Sequence, residues 1–181
     1  ADSIYKFEGY LVYQLKNADV AISDIRAKDG SINTDKARIV FQCDKENGIK
    51  DIVNFEINPE ITPEFEVPKL MVQGTDKGIK HSFQLDQDAF ATGTSKALVN
   101  YKTYYYVVVA YAYNNFNKWN PSVRDSTQDE AYRESRTDGR EQPIQVIAAM
   151  PHPATDSLYV QTYADYGFGI QLKQIEGKGN G

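Results

Sequence analysis

Apolar positions along this chain recur with the two-residue period of strands more than with the 3.6-residue period of helices. In YKFEGYLVYQL, Phe7, Gly9, Leu11 and Tyr13 fall on one face and Tyr10 and Val12 on the other, so both faces are apolar. After polar KNAD, a turn at Asp29–Gly30 precedes a second strand over Ala37 to Cys43. IKDIVNFEI fits a strand or a helix. NPEITPEFEVP carries Pro59, Pro63 and Pro68, so it must run extended along a surface or an edge. KLMVQG and GIKHSFQL read as further strands, and DQDAFATGTSKALVN as a crossing between sheets. The strongest element runs from Thr103 to Tyr113. Its YYYVVVAYAY scarcely alternates, and such a strand needs cover on both faces. The polar stretch that follows has one helical signal, the capping spacing Thr127 to Glu130. PIQVIAAM is apolar enough to lie inside a sheet, and SLYVQTY and GIQLKQI read as late strands.

Composition supports a sheet protein. Among 181 residues there are 13 Tyr and 8 Phe against one Trp, a bias that favours strands, and the length suits one domain with a sizeable core or with large insertions. A net charge of −5 is opposite to the footprint of a phosphate-binding surface, so nucleic acid is not an expected partner. No apolar run has the length of a bilayer span, and membrane insertion is not expected. Cys43, the single cysteine, reads as a buried thiol.

From Leu98 the chain reads LVNYKTYYYVVVAYAYN, which resembles the strand-F signature of fibronectin type III domains, with Tyr104 at the tyrosine-corner position. FEGYLVYQL is similar to strand C of that family, and PIQVIAAM sits where strand G belongs. The resemblance implies a fibronectin type III or immunoglobulin-like sandwich over residues 1–150, with a large insertion between strands C and F at about residues 16–97. Residues 151–181 would form a C-terminal extension. It also implies that Tyr104, Tyr106, Val108, Ala110 and Ala112 face the sandwich core with Tyr10 and Val12. The chain would begin at strand C, leaving strands A and B to other sequence or to a partner. Together with GIKHSFQLDQDAF, PHP and EGKGNG, the texture resembles the fibronectin-like region of large Bacteroidota surface proteins exported by the type IX secretion system. That implies an extracellular or outer-surface location.

On this register Tyr105, Val107, Val109, Tyr111 and Tyr113 point outward, next to Leu11 and Tyr13. So large an apolar surface requires cover, and the long insertion is the nearest candidate. Tyr105, Tyr111, Tyr113, Leu11 and Tyr13 are the candidate contacts for other domains of the same protein, or for another surface protein, wherever the insertion leaves them open. No catalytic set is expected. His81 and His152 lack metal-ligand spacing, and His81 beside Ser82 points to the opposite strand face. Calcium is the one cofactor the residues suggest, through Asp86 and Asp88 or through Asp44, Asn47 and Asp51, none with EF-hand spacing. Ser3, Ser126 and Ser157 follow Asp in tripeptides similar to the O-glycan acceptor of exported Bacteroidota proteins. The expected role is a non-catalytic structural or interaction domain. The alternatives are an accessory module of a secreted hydrolase, or a subunit of an extracellular filament or secretion complex.

Overall fold

The computed structural model describes residues 4–28, 30–57, 66–120, 122 and 128–152. The chain is mainly β and its sheets are antiparallel. β1 (Lys6–Leu15), β2 (Ala37–Asp44), β3 (Asp51–Ile57), β4 (Glu66–Gln73), β5 (Tyr104–Tyr113), β6 (Tyr132–Glu134) and β7 (Ile147–Ala149) follow in order. Among the described residues the only helical element is the 3₁₀ turn Ile22–Asp24.

Five strands form one sheet in the order β2-β1-β5-β6, with β7 also on β5. Both short strands share the far edge of β5, with Glu134 opposite Tyr111 and Ile147 opposite Tyr106. β3 and β4 form a separate hairpin. IKDIVNFEI is therefore a strand, its helix reading overridden by pairing with β4. Pro68 lies within β4 opposite Phe55, in a two-stranded sheet, where a missing N–H costs no ladder on the outer side.

The hairpin lies over one face of the large sheet. Leu11, Tyr13, Leu15, Val107, Val109 and Tyr111 form a single cluster with Ile52 and Val72 of the hairpin, Val20 and Ile25 of the loop before β2, Ala37 and Tyr132. Tyr13 and Val107 are fully buried. Polar contacts secure the hairpin. Asn54 Oδ1 accepts from the backbone N–H of Ala131 and of Tyr132, each at 2.9 Å, and Phe55 N–H donates to Asp129 O at 2.8 Å. Outside the hairpin, Trp119 stacks on Phe55 at 4.0 Å and its indole donates to Glu66 at 2.7 Å.

The face assigned outward is covered by the segment between β1 and β5, as expected, and Val12, Tyr104 and Tyr106 of the expected core face are buried. The difference lies in which face holds the main core: it is the face assigned outward. The face assigned to a sandwich core is covered only in part. Three further expectations are corrected. GIKHSFQL forms no strand and pairs with no described strand. PIQVIAAM contributes only the three-residue β7, exposed throughout at an edge. The signal from Thr127 to Glu130 yields no helix over the described part: Thr127 lies outside the described residues, and the chain extends into β6 because Asn54 claims the N–H groups of Ala131 and Tyr132. SLYVQTY and GIQLKQI also lie outside the described residues.

Candidate interaction face

The half-covered face is built by register. Cys43, Tyr10 and Ala110 form one row across β2, β1 and β5, and Phe41, Val12 and Val108 form the next. A bulge at Glu8 moves Phe7 onto this face opposite Ala112, although simple alternation assigns it to the side of Leu11. The Phe7 and Tyr10 rings then meet at 4.8 Å. Both remain open, at 39% and 36% of their full exposure. Ile147 stands on the same face at the edge of the sheet, 51% exposed.

Residues 78–102 cover the remainder. Phe83 stacks on Phe41 at 4.1 Å. Buried Gln14 donates to Asp88 Oδ1 at 2.7 Å and accepts from Ala89 N–H at 2.8 Å. Lys102 pairs with Asp88 Oδ2 at 2.9 Å. Burial pushes the Asp88 carboxyl up, but its bonds from Lys102, Phe90 N–H and Gln14 outweigh that and hold it below the usual aspartate range. At the foot of β5, buried Tyr104 accepts a hydrogen bond from Val99 N–H at 2.8 Å. The phenol is tied to backbone upstream, but as acceptor, where the expected tyrosine corner has it donate.

The opposite side of the molecule carries a cleft of about 920 Å³ between the hairpin, the loop after β1 and β6. At its floor Arg26 is ion-paired with Glu134, and Tyr132 donates to the same carboxylate at 2.7 Å and Tyr13 at 3.2 Å. Arg26 also donates to Gly30 O at 3.2 Å. Burial, then the Glu134 charge, pushes both phenols far above the ordinary tyrosine range. Burial disfavours the charged guanidinium, yet the Glu134 bond keeps it fully protonated. These groups satisfy one another, so the cluster is a clamp that fastens the loop to β1 and β6. It joins residues 108 apart in sequence, and no local spacing announces it.

Of the contact candidates, Leu11, Tyr13 and Tyr111 are at most 1% exposed inside the chain's own core, and Tyr105 and Tyr113 are half-buried against it. The surface they were to offer is occupied by the hairpin and the loop. The calcium candidates are separate. Asp44 is buried and accepts from Thr75 Oγ1 at 2.9 Å and from Asp76 N–H at 2.6 Å. Asn47 donates to both Glu8 oxygens. Asp88 serves Gln14 and Lys102, while Asp51 and Asp86 are exposed. Among the described residues no three His, Cys, Asp or Glu side chains converge as metal ligands. His81 is exposed, and His152 packs edge-on against Tyr101 at 5.5 Å. Ser3, Ser126 and Ser157 lie outside the described residues. The sequence reading missed Phe7 and Phe83 as surface aromatics: the first needs the bulge to turn it, and the second sits in a run that looks like a paired strand.

Comparison with protein-family models, with curated proteins and with solved structures finds no match.

Proposed function

We propose that this chain is a non-catalytic structural and interaction domain of an exported Bacteroidota surface protein, working at the outer cell surface. Its large sheet follows a fibronectin type III plan in which β2, β1, β5 and β7 take the places of C′, C, F and G, and the segment between β1 and β5 is a large insertion. Support for the plan comes from the strand order and from Tyr104, whose phenol is tied to backbone five residues upstream.

One observation carries the functional reading. The sheet face around Phe7 and Tyr10 is apolar and open, whereas the other face is sealed. In the sandwich plan a second β layer packs on that open face at about 10 Å. The domain therefore works by burying this face against a β layer from a neighbouring domain or from another surface protein.

A cysteine footprint in the source bacterium tests both parts. A membrane-impermeant maleimide is expected to label a Lys16→Cys control on intact cells and to spare Tyr10→Cys, while labelling both in the purified chain. An unlabelled Lys16→Cys would remove the surface location. Equal labelling of Tyr10→Cys on cells and in the purified chain would remove the interface.

A further inference from the structure

The run from Gly78 to Leu85 has the pattern of a strand but no ladder. Among the described residues its first backbone pairing comes just after it, where Leu98 N–H donates to Asp86 O at 2.9 Å and Asp88 N–H to Lys96 O at 2.7 Å. Residues 80–84 are exposed. The run is nevertheless anchored in place, with Phe83 stacked on Phe41 and the Cys43 thiol 4.0 Å from Lys80 O. It thus rides over β2, above the rows that continue into Tyr10 with Ala110 and into Val12 with Val108.

Strands in any sheet lie about 4.8 Å apart. A strand hydrogen-bonded to the inner side of this run is therefore carried over β1, onto Tyr10 and Phe7, and a second one over β5. The unpaired backbone and the open apolar face are two halves of one vacancy, continuous with the contact that residues 80–102 already make. Charge narrows what fills it. Lys77, Lys80 and His81 are exposed at one end of the run on a chain of net −5, where Asp76 accepts from Asn47 and Gly48 N–H and Asp44 from Thr75 and the Asp76 N–H, while exposed Asp86 follows Leu85 at the other end.

We propose that Gly78–Leu85 and the Phe7–Tyr10 face together form a strand-acceptor site. Its occupant is an extended segment of another polypeptide, apolar at alternate positions and acidic at the end that meets Lys77, Lys80 and His81, which adds to the backbone of residues 79–85. This rests on the reading of the open face as an interface, and adds to it how the partner binds.

The test selects binders to the full 181-residue chain from a displayed random library of about twelve residues, then follows amide exchange with the winning synthetic peptide bound. Selected peptides are expected to alternate apolar and polar residues with acidic residues at one end and to slow exchange across residues 79–85. Ser82→Pro, which removes an N–H from an exposed position, and Tyr10→Glu are each expected to weaken binding roughly tenfold or more, with the melting temperature unchanged. Binding lost in Tyr10→Glu but kept in Ser82→Pro, with exchange at 79–85 still fast, would overturn strand addition and leave the interface standing. Binding indifferent to both variants, or peptides without alternation, would overturn both. Slow exchange at 79–85 in the free chain, abolished by removing residues 153–181 or by dilution, would overturn the proposal by assigning the site to the chain's own C-terminal segment or to a second copy.

Discussion

The two faces of the central sheet are made of the same residue types and have opposite fates. One face carries Leu11, Tyr13, Val107, Val109 and Tyr111 and is closed by the hairpin and the loop before β2. The other carries Tyr10, Val108, Ala110 and Ala112, joined by Phe7, and is closed only where residues 78–102 reach it. Tyr10 and Leu11 are adjacent in sequence, yet one is 36% exposed and the other 1%. Hydrophobicity alone does not separate a core from a contact surface. The separation comes from which segment of chain returns to cover each side.

The contrast is sharpest at β1. Gly9 lies where any Cβ would run into the Cys43 carbonyl and come within 2.6 Å of the Tyr111 hydroxyl. Gly9→Ala is expected to destabilise by roughly 3 kcal/mol or more, and Leu11→Ala by a similar amount, because neither site is free to relax. Tyr10→Ala, one residue away on the open face, is expected to cost less than about 1 kcal/mol. Urea unfolding of the three variants checks this, and comparable losses for Leu11 and Tyr10 would erase the difference between the faces.

Next in size is the clamp. Glu134→Gln leaves the Arg26 guanidinium without its counter-charge while both side chains are only 21% exposed, and a loss of about 2–3 kcal/mol is expected. Exchange of the amides around Ile25 should rise with it, since the loop that closes the inner face is the part released.

The covered half of the open face depends on pH. Asp88 has a lowered carboxyl pKa in the fold, so its contribution is present above the ordinary aspartate range and is lost as pH falls through that range toward the folded value. Stability should therefore drop as pH falls below about 4, the ordinary aspartate range, and Asp88→Asn should flatten that limb. Glu8 has the opposite sign: burial holds its carboxyl above the usual range, so its contribution is present at low pH and lost as pH rises through the raised value. Glu8→Gln should accordingly steepen the acid limb that Asp88→Asn flattens.

Tyr104→Phe is expected to cost about 1 kcal/mol, since it removes one acceptor from the Val99 N–H and leaves the ring packed. A loss of that size, with the exchange of Val99 accelerated, would show the corner contact acting as a local pin rather than as part of the core.

Strand positions were legible in the chain because period-two alternation and turn residues are local signals. β1, β2 and β5 appear at their expected places to within a residue or two, and Tyr104 meets backbone upstream, though as acceptor rather than donor. Sidedness was not legible. A ribbon apolar on both faces reads the same from either side, so only the return of the hairpin decided that Tyr111 is core and Tyr10 is surface. The bulge at Glu8 inverted Phe7, and long-range partners created the clamp between Arg26 and Glu134. Those outcomes depend on contacts between residues far apart in the chain, where local periodicity carries no information. Residues 78–85 mark the limit: their pattern is that of a strand, but a strand also needs a neighbour, and that comes from tertiary structure.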